Sequence, residues 1–298
     1  ATAAVYSSYG SLVYAGTVIG GRVSDNLLGL RKSIFLGGIL MALGHFILAI
    51  ESNITFFLAL SLIIVGNAYF KPNISTFVGA LYSDNDPRKD SGFTIFYMGI
   101  NIGGWVAPLL CGWLAATYGW HYGFGLAGIG MLTGLIVFYR GIKIGVFGDQ
   151  GLAPNTEALT QKKMGISREN WVTILSVLSV PVMALLLASY SPVFGEDNIV
   201  NLIFKGVGVL ILAYLGYIVY QASADERKKL FVAILITLFM TIFWGFHELS
   251  GSVITLFSAR NVELTLMSAA QTNSLNSMFI ILFAIPISML WTWLSRRN

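Results

Sequence analysis

Nine stretches of this 298-residue chain are long and apolar enough to cross a lipid bilayer, and nothing else in the sequence constrains the fold as strongly. A crossing helix needs about 20 mostly apolar residues. The candidate spans are 1–21, 33–50, 54–82, 92–116, 121–141, 171–190, 198–221, 230–258 and 274–294. A closed β-barrel is the other structure that satisfies its backbone in lipid. These runs are too long for barrel strands and lack their two-residue alternation. Charge is correspondingly scarce. Asp, Glu, Lys and Arg make up 11% of the chain, against roughly 25% in soluble domains. The expectation is an all-α membrane protein.

Basic residues set the orientation and test the segmentation. With the gap holding Arg22, Arg31 and Lys32 placed in the cytoplasm, alternate gaps hold Arg88 and Lys89, then Arg140, Lys143, Lys162, Lys163 and Arg168. Arg227, Lys228 and Lys229 follow, and finally Arg296 and Arg297. Fifteen of the 18 basic residues are thus cytoplasmic, the opposite gaps hold only Arg260, and Lys71 and Lys205 lie within spans. This satisfies the positive-inside rule with the chain entering from outside and ending inside. A miscounted span would scramble the alternation.

The longest polar stretch, 142–170, contains Gly148, Gly151, Pro154 and Asn155 and reads as a cytoplasmic linker between two bundles. The spans 171–190 and 198–221 form a helical hairpin closed by an acidic turn with Glu196 and Asp197. The single cysteine, Cys111, excludes an intrachain disulfide. The chain does not start with Met and opens within a span, as expected of a fragment or a processed chain. Its net charge of +4 is spread over loop ends, so nucleic acid is not an expected partner.

Two ionisable residues stand where lipid is expected. Lys71 lies in the third span beside Pro72, and Glu248 lies in the eighth. A lysine at the centre of a lone helix costs about 2.5–3.5 kcal/mol to insert, and such residues mark ion or substrate paths. The alternatives are a packing lysine and a permanently paired carboxylate. His247 adjoins Glu248 but points about 100° away on a helix. His45 reads as packing and Lys205 as snorkelling toward headgroups. Asn101 is polar at mid-helix, between Gly99 and Gly103, which form a small-residue face for close helix contact. The three histidines fall in different segments, with no zinc-protease spacing and no nucleophile elbow, which argues against an enzyme.

The loop Gly21-Arg22-Val23-Ser24-Asp25-Asn26-Leu27-Leu28-Gly29-Leu30-Arg31-Lys32 resembles the G-x-x-x-D-x-x-x-G-x-R-K/R loop of the major facilitator superfamily. Its glycines allow close approach of helices, and Asp25 is suited to cap a helix or pair with a basic residue. Gly66-Asn67-Ala68-Tyr69-Phe70-Lys71-Pro72-Asn73-Ile74-Ser75 and Phe96-Tyr97-Met98-Gly99-Ile100-Asn101-Ile102-Gly103 resemble the fourth- and fifth-helix signatures of the proton-dependent oligopeptide transporters. Residues 243–257 look like that family's seventh helix, with Glu248 at its carboxylate position. The hairpin at 171–221 resembles two helices that bacterial members insert between their halves.

The resemblance implies a partial major facilitator-type bundle of about nine helices, lacking the first and the last four. Residues 1–141 would form the N-terminal bundle, 142–170 the linker, 171–221 the extra hairpin and 222–298 the start of the C-terminal bundle. It implies a multi-pass protein of the bacterial inner membrane that imports di- and tripeptides with protons, using no cofactor. Tyr14, Asn101 and Asn276 would bind peptide. Lys71 and Glu248 would serve coupling and gating, and Gly21, Asp25, Gly29 and Arg31 the conformational loop. Lys71 would answer to a carboxylate on the missing first helix. Thr17, Leu249 and Ser277 depart from the common proline, glutamine and proline at their positions. A related symporter for nitrate or a drug-like solute, and a non-transporting membrane subunit or enzyme, are the alternatives.

Overall fold

The computed structural model describes residues 2–83, 85–189 and 199–295. The acidic turn with Glu196 and Asp197, and the terminal Arg296 and Arg297, lie outside them. The long helices are α1 (Thr2–Val23), α2 (Leu30–Leu48), α3 (Asn53–Ala80), α4 (Lys89–Tyr118) and α5 (Trp120–Lys143). A short α6 (Thr156–Thr160) and a β-hairpin, β1 (Lys162–Lys163) with β2 (Ile166–Ser167), lead into α7 (Arg168–Ala188). Then come α8 (Ile199–Gln221), α9 (Ala224–Glu248), α10 (Val253–Asn261) and α11 (Ser274–Ser295). Among the described residues, helix occupies each of the nine expected spans. Seven segments are long and apolar enough to cross a membrane: α2 to α5, α7, α8, and α9 with the turn that follows it.

One expected span is broken. The run 230–258 does not form a single helix: α9 ends at Glu248, and a 3₁₀ turn, Leu249–Gly251, precedes α10. Ser250, Gly251 and Ser252 are successive weak helix formers. Thr255 Oγ1 donates to the Ser250 carbonyl at 2.7 Å, satisfying a backbone group at the break. Glu248 therefore sits at a helix end rather than inside a continuous span.

Helix α3 is the centre of the N-terminal bundle. Against α2 the backbones touch: a Cβ on Gly37 would lie 2.5 Å from the Gly66 carbonyl oxygen, and one on Gly66 would lie 2.6 Å from that of Gly37. Against α1, Gly20 packs directly on the Ala68 carbonyl oxygen. That carbonyl is the one Pro72 leaves without a helical N–H four residues on. The proline thus opens a polar backbone group, and a glycine with no side chain lies over it. Tyr69 Oη and Ser176 Oγ are hydrogen-bonded at 2.9 Å and join α3 to α7. Lys32 pairs with Glu169 at 2.6 Å and joins α2 to the start of α7.

The segment 142–170 folds onto the end of this bundle that carries Arg31 and Lys32. Leu159 of α6 is 1% exposed and shares a core with Leu28, Leu40, Val65, Tyr69 and Val180. Arg31 is the clasp. Its Nε donates to Gln150 O at 2.6 Å, its guanidinium also reaches the carbonyls of Phe147 and Gly148, and its own N–H bonds Gly151 O at 3.0 Å. Gly29, at φ 76°, lies against the Leu152 backbone, where any side chain would collide. Asp25 departs from expectation. It is exposed in a π-helical turn, Ser24–Leu28, and neither caps a helix nor pairs with a base among the described residues.

Two outcomes follow from this packing. Gly20→Leu should destabilise the detergent-solubilised protein by about 1–3 kcal/mol through overpacking, seen as a lowered thermal midpoint. Gly10→Ala, at a site with nothing within 4 Å, should leave that midpoint unchanged. Arg31→Ala should free the linker at a cost of about 1.5–3 kcal/mol for its charge-assisted bonds. Limited proteolysis should then cut near residues 147–152 faster than in the parent.

Candidate functional site

Lys71 follows the turn of α3 on which Gly20 packs, so the close approach of α1 brings Tyr14 beside it. Asn67 Nδ2 donates to the Val13 carbonyl at 3.3 Å and holds the turn that carries Tyr14. Lys71 Nζ stands 4.1 Å from the centroid of the Tyr14 ring, a cation–π contact. Such contacts contribute about 0.5–1 kcal/mol where exposed, and Tyr14 is 49% exposed.

The same tyrosine reaches the other half of the molecule. Tyr14 Oη donates to Glu248 Oε1 at 3.0 Å. Lys71 and Glu248 form no direct ion pair among the described residues; the phenol ring stands between them. The lysine meets the ring face and the carboxylate meets the hydroxyl. Lys71, Tyr14 and Glu248 are all exposed in this conformation. His247 turns away from the site and packs on Phe243 and Trp244, at 6.3 and 5.1 Å between ring centroids.

The remaining expected residues lie along the α4–α11 contact. Asn101 is buried, and its Nδ2 donates to the Tyr97 carbonyl of its own helix at 2.9 Å. One turn further, a Cβ on Gly104 would lie 2.6 Å from Ser277 Oγ, which puts the neighbouring Asn276 within a turn of the same contact. Asn276 is exposed. The close approach does not use the expected face: Gly99 and Gly103 have nothing within 4 Å, whereas Gly104 and Gly112 touch the partner. A shift of one residue turns a helix face by about 100°.

Several contacts joining the halves had no sequence signal beyond small residues. Gln271 packs on Gly112, and its Nε2 donates to the Leu109 carbonyl at 3.0 Å, just after Pro108. Tyr6 meets Gly251 in the break after α9. Within the C-terminal half, Asn273 and Thr255 bond side chain to side chain at 3.2 Å, tying the turn before α11 to α10. A cavity of about 890 Å³ lies between α1 to α5 and the C-terminal residues Gly251, Ala270 and Asn273, with Tyr9, His45 and Trp120 among its lining. None of the five expected binding and coupling residues lines it. The His45 Nδ1 atom is buried there without a hydrogen-bond partner.

Comparison with known proteins places the chain in a family. The profile described as the POT family matches residues 31–298. The chain is 36% identical to the uncharacterized transporter YclF of Bacillus subtilis (strain 168), over 99% of this chain and 60% of the relative. It is 36% identical to a di-/tripeptide transporter of Lactococcus lactis subsp. lactis (strain IL1403), over 99% of this chain and 61% of the relative. Among solved structures, that of the peptide transporter POT in complex with sulfate superposes with a TM-score of 0.78 at 32% identity, covering 98% of this chain and 60% of that one. The chain thus spans about three fifths of the length of the curated relatives it matches. With its spanning helices, its superposition on a solved transporter and a profile match from Arg31 to the last residue, the chain is a multi-pass cell-membrane protein and belongs to the POT family.

Proposed function

We propose that this chain forms part of a proton-coupled symporter that imports di- and tripeptides by alternating access. The observation that carries the proposal is the Tyr14 bridge. It links a cation of the N-terminal half to a carboxylate of the C-terminal half through a bond whose strength depends on one proton.

With Glu248 ionised, the Tyr14 hydroxyl donates to a charged acceptor, a bond roughly twice as strong as a neutral one. Lys71 stands across the ring, 4.1 Å from its centroid. A proton on Glu248 removes the negative charge, weakens the tie from α1 to α9 and lessens the pull on Lys71. The halves are then freer to move apart. The tie would re-form when the proton leaves toward the cytoplasm. The contacts at Tyr6–Gly251, Gly104–Ser277 and Gly112–Gln271 also join the two halves in this conformer.

A peptide carries an ammonium at one end and a carboxylate at the other. Separated groups of opposite sign, Lys71 and Glu248, suit those two ends. Asn101 and Asn276, near the α4–α11 contact, would add directional hydrogen bonds without selecting a side chain. The di-/tripeptide transporter among the relatives supports this substrate class.

Transport by the full-length protein in liposomes provides the tests. Glu248→Gln should keep labelled-dipeptide exchange while losing accumulation driven by an inward proton gradient; unchanged accumulation would remove Glu248 from coupling. Tyr14→Phe deletes only the hydroxyl, and gradient-driven uptake should fall about fivefold to tenfold, equivalent to about 1 kcal/mol. Uptake in the parent that ignores the gradient would refute the symport itself.

A further inference from the structure

Before α7 the chain makes a β-hairpin in which Lys162 pairs with Ser167 and Lys163 with Ile166, leaving a two-residue loop of Met164 and Gly165. Both loop residues have positive φ, 56° and 80°, as a type I′ turn requires. Asn, Asp or Gly usually fills the first loop position, because each reaches left-handed backbone easily. Here it is a methionine, 82% exposed. An apolar side chain held outward on unfavourable backbone does nothing for the core of this protein.

Its neighbours indicate what it meets. Lys162, Lys163 and Arg168 are exposed, and none makes an ion pair among the described residues. Trp171 Nε1 donates to the Lys163 carbonyl at 2.8 Å. That bond fixes the hairpin to the first turn of α7, a bilayer-spanning helix whose apolar run begins at Trp171. The hairpin is therefore held at the cytoplasmic boundary between water and lipid, where tryptophan concentrates. An apolar tip flanked by long cationic side chains matches that boundary: methionine enters the acyl edge while lysine stems lie along it and their ammonium groups stay among phosphates. The cytoplasmic leaflet carries acidic lipid that attracts such clusters.

We infer that the Lys162–Ser167 hairpin is a lipid anchor, with Met164 seated in the cytoplasmic leaflet and Lys162, Lys163 and Arg168 on acidic headgroups. This fixes the linker to the membrane as well as to the N-terminal bundle.

The test places an environment-sensitive fluorophore at Met164→Cys in a Cys111→Ala background of the full chain. Emission is read in nanodiscs of phosphatidylcholine alone and of phosphatidylcholine with phosphatidylglycerol. With acidic lipid the emission should shift to the blue and resist quenching by aqueous iodide. Each of Lys162→Gln and Lys163→Gln should lower the lipid-seated fraction relative to the exposed one by about fivefold. Their thermal melting should match the parent, because both side chains are exposed and unpaired. A probe equally open to iodide in both lipids would overturn the anchor. So would protection that survives loss of both lysines and Arg168.

Discussion

The contact between Gly20 and the Ala68 carbonyl sets the geometry on which the candidate site depends. Lipid tails are as apolar as leucine, so helices in a bilayer are not driven together by the hydrophobic effect and must associate through close packing and polar contact. Pro72 supplies the polar group by withdrawing a donor, and the missing side chain of Gly20 supplies the space. Lys71 immediately precedes that proline. The interruption of the α3 hydrogen-bond ladder and the position of the lysine beneath Tyr14 are therefore one feature.

The same economy of parts recurs between the halves. A lysine and a carboxylate in direct contact at membrane depth would attract each other strongly but would separate only at a high energetic cost. A phenol between them gives each a weaker partner: a ring face for the cation and a hydroxyl for the anion. In the proposed symport, ties of this kind would break and re-form with each cycle. The helix end at Glu248 adds to this, because the 3₁₀ turn that follows releases the carboxylate from the rigidity of a continuous span.

The loop between α1 and α2 meets the chain's own linker. Arg31 binds three carbonyls of residues 147–150, and Gly29 makes room for Leu152. With Lys32–Glu169 and Tyr69–Ser176, these bonds make the linker and α7 extensions of the N-terminal bundle.

Spans and family motifs were readable because each is local: hydropathy needs about 20 consecutive residues. Lys71 and Glu248 stood out for the same reason, as charges within apolar runs. The sequence could also name Arg31 and Gly29, but not the carbonyls and backbone that they meet more than 100 residues away. It placed the small-residue contact of α4 on Gly99 and Gly103, since spacing alone cannot say which face meets a partner; the tertiary structure moved it to Gly104 and Gly112. The largest change concerned Tyr14, which the family resemblance offered only as a peptide-binding residue. Its role as a bridge depends on Glu248, 234 positions away, and only the packing of α1 beside both α3 and the end of α9 brings the three groups together. Sequence by itself determined which residues could carry charge at membrane depth, because solvation is a property of each segment. Tertiary structure alone decided which of them touch, because contact is a property of packed helices.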